Sequence, residues 1–215
     1  MSLLGRLRAA LGRDHAALLT RARDDVRMGL ALNPPACVGP LNRAISTLER
    51  LPNAPEVGLL LGRALRAKAQ TMSGKAAREM RARAVAKLRA MIENPRIADT
   101  ERAALWAALA QAWLPLPDDA KDPDLSYRQL VRAQEAQIEA LEIPSAAAHL
   151  AMAEIALALC QAEFCPAPRI MASTVRNHVQ AARAFDPDHD ESGTADALEP
   201  AVLHLFPDLP PCDTP

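Results

Sequence analysis

The sequence predicts an all-α fold, and three observations carry that prediction. Alanine fills 45 of the 215 positions, while strand-favouring aromatic and β-branched residues are scarce, so the chain suits close-packed helices better than a sheet. Apolar residues recur at three- and four-residue spacing, as one face of a helix requires. Prolines, 18 against 8 glycines, fall between these periodic stretches and cut them into helix-length pieces.

Taken in order, the helical segments are 2–12, 14–32, 40–51, 56–72, 75–93, 98–114, 124–143, 145–163, 169–185 and 194–206. Asn33-Pro34-Pro35 stops the second, Pro52 and Pro55 bracket a turn, Ser73-Gly74 breaks the next two, and Asn94-Pro95 ends another. A proline cannot donate to the preceding turn and forces its neighbour out of helical geometry. Asp14, Asp124, Ser145 and either Asp99 or Thr100 stand where a short polar side chain can accept from the first free N–H groups of the following helix. The connections are short, which favours antiparallel neighbours.

The chain also repeats itself. At an offset of 40 residues, Arg43-Ala-Ile-Ser-Thr-Leu48 through Pro55 lies over Arg83-Ala-Val-Ala-Lys-Leu88 through Pro95. In both copies a small Ala44 or Ala84, then Leu48 or Leu88, then Leu51 or Met91 form one stripe that a lone helix cannot bury. A second pattern marks the partner helices: Trp106-x-x-Leu109-Ala110-x-x-Trp113, Gly58-x-x-Leu61-Gly62-x-x-Leu65 and Met152-x-x-Ile155-Ala156-x-x-Leu159. Val175-x-x-x-Val179-x-x-Ala182, ending at Pro187, fits the other helix of such a pair.

These paired patterns resemble the tetratricopeptide (TPR) repeat, a helical hairpin of roughly 34 residues. The resemblance spans residues 14–187 and implies antiparallel hairpins stacked as a right-handed solenoid, with pairs 14–51, 56–94, 98–143 and 145–186. Residues 1–13 stand apart as an N-terminal amphipathic helix, and 188–215 as a capping helix with a proline-rich tail. The small Gly62 or Ala110 would let the paired helix approach, with Trp106 and Trp113 filling the space between. The first pair lacks a clear Trp-x-x-Leu-Gly pattern, and Ala22-x-x-x-Val26-x-x-Gly29, ending at Pro34, reads equally as a second helix partnered by 2–12. An irregular alanine-rich bundle is the other architecture consistent with these spacings.

Charge divides the chain. Residues 1–100 carry 18 Lys and Arg against 8 Asp and Glu, residues 101–215 carry 7 against 18, and the net charge is −1. The division permits solvated helix faces, a separate partner for each end, or head-to-tail self-association. The overall balance argues against a nucleic-acid partner.

No Gly-x-Ser-x-Gly elbow, phosphate loop, His-Glu-x-x-His helix or Gly-rich dinucleotide turn is present, so neither an enzyme nor a cofactor is indicated. His15, His149, His178, His189 and His204 read as surface or packing residues, and the cysteines Cys37, Cys160, Cys165 and Cys212 as reduced thiols, their spacing unsuited to zinc. Asp186-Pro-Asp188-His-Asp190 opens like a calcium loop but then offers Glu191 where a glycine is needed. The basic start, with Leu3, Leu4, Leu7 and Leu11 beside Arg6 and Arg8, suits a lid on the first hairpin or, less favoured, a membrane surface. It lacks the features of a secretory signal, which points to a cytoplasmic protein.

The resemblance implies a non-catalytic scaffold, adaptor or assembly factor that holds a protein or peptide in a groove lined by the first helix of each hairpin. Carried over, the groove positions are Glu56, Leu59, Arg63 and Arg66, then Ala104, Ala107, Gln111 and Leu114, then Ala148 and Met152. The competing readings are a peripheral membrane protein using the basic half, and a helical domain with an enclosed ligand pocket between Trp106, Trp113 and Tyr127.

Overall fold

Every element of the computed structural model, which describes residues 3–185 and 194–208 and side chains from Asp14 onward, is helical. The described residues form nine α-helices and one short 3-10 turn, with no strand. They fall into two compact units, Met1–Ile97 and Ala98–Pro215. The border coincides with the change of charge: the first unit carries 18 Lys and Arg against 7 Asp and Glu, the second 7 against 19.

The first unit contains α1 (Leu3–Ala31), α2 (Val38–Leu48), α3 (Pro55–Gln70) and α4 (Gly74–Ile92). Helix α1 runs unbroken through Asp14, which therefore caps nothing; the two N-terminal segments expected from the sequence are one helix. Gly12 weakens a helix by only about 1 kcal/mol and no proline follows it before His15, and an exposed aspartate is tolerated in a helix interior at small cost. The amphipathic side-chain pattern of residues 1–13 lies outside the described residues. Helix α1 packs on α2, α3 packs on α4, and α3 also contacts both α1 and α2. This resolves the pairing: residues 14–31 partner α2, not residues 2–12.

The repeated stripe is buried except at Leu51, which is half-buried and lies beyond the end of α2. Ala44, Leu48, Ala84 and Leu88 have lost essentially all contact with solvent, and Ile45, Val85 and Met91 nearly so. Close approach follows from the glycines. A Cβ on Gly62 would lie 2.7 Å from Leu88 Cγ, and one on Gly29 would lie 2.6 Å from Leu41 Cγ. Gly74, at φ +60°, opens α4 from a left-handed backbone that a glycine adopts without steric cost.

The second unit contains α5 (Asp99–Trp113), the 3-10 turn, α6 (Pro123–Ala140), α7 (Ala146–Gln161), α8 (Pro168–Phe185) and α9 (Thr194–Leu205). Its pairs are α5 with α6 and α7 with α8; α6 also packs on α7, and α9 on both α7 and α8. Ser145 caps α7 by accepting from Ala148 N at 3.1 Å. Asp122, not Asp124, caps α6, accepting from Leu125 N at 3.0 Å. Pro123 occupies the first helical position, so the cap sits one residue before the proline. Neither Asp99 nor Thr100 caps α5; the Glu101 carboxylate reaches back to Ala98 N at 3.1 Å instead.

The core of the α7–α9 cluster combines Ala153, Ala156, Ala172, Val175, Val179, Ala182, Leu198 and Val202. The predicted Val175, Val179 and Ala182 stripe thus faces inward. The tryptophans are less deeply set. The buried stripe of α5 is Leu105, Ala108, Leu109 and Ala112, which leaves Trp106 and Trp113 on its flanks, each half-buried. Trp113 carries the guanidinium of Arg132 over its ring, 4.8 Å from the centroid.

Candidate functional site

A groove within the second unit follows from how three helices meet. Because α5 and α7 both pack on α6, their outer faces form the two walls of a groove of about 260 Å³. Ala103, Ala104 and Ala107 supply one wall, and Ala147, Ala148 and Ala151 the other. The base comes from Gln137 and Ala140, while Thr100, Ile143 and Ser145 close one end. With a methyl as the longest side chain on either wall, the groove is open to the backbone and small side chains of another molecule.

Gln137 holds the base together. It is completely buried, and its Nε2 donates to the carbonyl of Ala148 at 2.9 Å, tying α6 to the first turn of α7. That bond fixes which amide atom is oxygen. The oxygen, Oε1, is buried and accepts no hydrogen bond from the protein, an arrangement that costs about 1–3 kcal/mol. The other polar groups of the lining are Thr100 and Ser145, and Ser145 is engaged as a helix cap. None of the three titrates near neutral pH, so the lining contains no general acid or base.

One turn beyond Ala151 on α7 stands Glu154. It is open to solvent on one side, yet the surrounding protein withdraws enough water to push its carboxyl above the ordinary range.

Three of the positions carried over from the repeat pattern, Ala104, Ala107 and Ala148, therefore line one groove. Gln111 is exposed and Leu114 half-buried, continuing α5 past Ala107 by one and two turns. Met152 is a correction: only 2% of it is exposed, and Ala151, one residue earlier, takes its place in the wall. In the first unit Glu56 and Arg63 are exposed and Leu59 is half-buried. Glu56 is already engaged by Arg23 of α1. Arg66 is the second correction, with 8% exposure; α3 is buried around most of its circumference from Leu60 to Ala67, which leaves little open face there.

No family model matches the chain, and no curated protein or solved structure is similar enough to count as a match. The groove is accordingly interpreted from its own chemistry.

The remaining reactive side chains lie elsewhere. His149 of α7 and His178 of α8 face each other, and Phe185 stacks on His149 with ring centroids 5.4 Å apart. The Cys160 thiol donates to the carbonyl of Pro168 at 3.3 Å, and burial, followed by the nearby Cys165, pushes its pKa up. No three His, Cys, Asp or Glu side chains among the described residues converge as metal ligands. Tyr127 lines a small cleft of about 70 Å³ with Val131, Gln134, Leu159 and Met171. Neither tryptophan lines this cleft. Among the described residues no helix is long and apolar enough to cross a membrane. The calcium-like segment 186–193 and Cys212 lie outside the described residues.

The sequence pattern named residues of both α5 and α7 that line this groove and none from its base. Gln137 was nonetheless visible, with Gln129, as a long polar side chain set into the apolar stripe of Leu130, Ala133, Ala136 and Ala140, where an amide needs a specific partner.

Proposed function

We propose that the protein is a non-catalytic interaction module that holds a segment of a partner protein in the groove between α5 and α7. The observation that carries this reading is the lining: two facing walls of alanine over a buried amide, with no group able to transfer a proton or attack a substrate. At about 260 Å³ the groove falls below the roughly 300–1,000 Å³ of sites that enclose drug-sized ligands, and it is better suited to a few residues of peptide. Within the first unit the hairpin order supports a TPR-like arrangement, since α3 contacts the first helix of the preceding hairpin as well as the second. On this reading Gln111 and Leu114 extend the contact along α5, and Leu59 and Arg63 offer exposed surface on α3.

The test is to capture partners with the tagged chain, purify the best-enriched one, and titrate it against wild type and Ala104→Trp. An indole on the α5 wall fills the groove without touching the buried stripe. At least about tenfold weaker binding by a variant with unchanged circular dichroism supports the proposal, since central contacts dominate such interfaces. Unchanged affinity overturns it.

A further inference from the structure

The charge around the groove narrows the class of partner; this inference rests on the groove being a peptide site. The second unit carries 19 acidic against 7 basic residues. The imbalance is sharper at the walls. Helix α7 contains Glu154 and no Lys or Arg, and α5 contains Asp99 and Glu101 against Arg102 alone. Glu139 and Glu142 flank the end closed by Ile143, and both are exposed. The two other arginines on α6 are directed elsewhere: Arg128 pairs with Asp124 at 2.7 Å and Arg132 covers Trp113. Glu154 forms no ion pair among the described residues, and helical spacing sets it one turn beyond Ala151, in line with the wall.

We infer that the groove between α5 and α7 receives an extended basic segment of a partner protein, whose small residues lie against the alanine walls and whose Lys or Arg meets Glu154. Alanine at Ala104, Ala107, Ala148 and Ala151 allows a backbone to approach closely. The acidic surround raises the local concentration of a cationic chain and speeds its encounter, an effect that added salt weakens.

Fluorescence polarisation of labelled twelve-residue peptides tests this directly, using alternating Ala–Arg, Ala–Gln and Ala–Glu sequences against the full chain. The Ala–Arg peptide is expected to bind wild type, to bind Ala107→Trp at least about tenfold more weakly, and to bind Glu154→Gln about three- to tenfold more weakly. The Ala–Glu peptide is expected not to bind. Equal binding of Ala–Gln and Ala–Arg, both blocked by Ala107→Trp, overturns the basic preference while leaving the groove a peptide site. Ala–Arg binding that Ala107→Trp leaves unchanged overturns the placement, since the acidic surface alone then accounts for it. Failure of every peptide overturns the inference and counts against the interaction module itself. Salt-sensitive dimerisation of wild type, abolished by Ala107→Trp, overturns the assignment to a separate partner by making the basic unit of a second copy the occupant.

Discussion

The Nδ1 atoms of His149 and His178 lie 2.8 Å apart across the α7–α8 packing. At that distance one nitrogen donates and the other accepts, so the pair holds a single proton between its Nδ1 atoms. A second proton would set two N–H groups against each other. Burial lowers the His149 pKa, and burial followed by the charge of His149 lowers that of His178, both from 6.5. Among the described residues neither ring meets a carboxylate. The nearest charged cluster named on the packed elements, Arg183 of α8 with Asp196 and Glu199 of α9, is internally paired.

The sign of the pH dependence follows. Below about 6.5 the unfolded chain takes up protons that the folded pair resists, so stability is lost as pH falls from 6.5 through the lowered folded values. Wild type should therefore melt at a lower temperature at about pH 5.5 than at about pH 7.5, and His178→Asn should reduce that difference. Parallel melting curves for wild type and variant across this range would show that the pair does not couple to folding.

Gly62 and Leu88 set the approach of α3 to α4. A methyl at Gly62 would lie within 2.9 Å of Leu88 Cγ and both Cδ atoms, and Leu88 is completely buried with nowhere to turn. Overpacking of this kind costs about 1–3 kcal/mol, against about 1 kcal/mol gained from better helix propensity. Gly62→Ala should therefore destabilise by a net of about 1 kcal/mol in chemical denaturation. A neutral or stabilising result would mean that the two helices separate without penalty.

How much of this was legible in the sequence depends on what each signal measures. The hairpin pairs and the stripes of Ala44–Leu48, Ala84–Leu88 and Val175–Val179–Ala182 were legible because periodicity reports the buried face directly. Trp106 and Trp113 were given the leading place between the helices because of their size, while the smaller Leu105, Ala108, Leu109 and Ala112 are the fully buried members of the stripe and the tryptophans stay half-buried. Met152 was exchanged with Ala151 because three- and four-residue spacings leave a helical register uncertain by one residue. The base of the groove depended on a contact between Gln137 and a backbone carbonyl on the next helix, and no local pattern encodes such a partner.

Trp113 and Arg132 give that correction a number. A tryptophan filling the space between helices would cost about 3–5 kcal/mol on truncation to alanine. Half-buried, with a guanidinium 4.8 Å above its ring, Trp113→Ala should cost closer to about 2 kcal/mol. Arg132→Ala and the double variant complete a cycle whose coupling should be about 0.5–1 kcal/mol, as for a partly exposed cation over an aromatic face. A coupling indistinguishable from zero would assign the whole loss at Trp113 to burial.

Asp25 and Arg43 join α1 to α2, and their unequal exposure decides what each mutation does. Arg43 donates from Nε at 3.2 Å and Nη2 at 2.7 Å to one oxygen of Asp25. The Asp25 side chain is 9% exposed and that of Arg43 51%. Removing the arginine strands a carboxylate that water barely reaches, whereas removing both leaves no charge to strand. Arg43→Met should cost about 1–3 kcal/mol, and Asp25→Ala added to it should cost less than the two single losses together. The exposed pair Lys75 and Glu79, 3.6 Å apart on α4, is the control, with coupling of about 0.2–0.5 kcal/mol. Equal coupling in the two pairs would mean that Asp25 is solvated in solution, since only its loss of water separates the two cases.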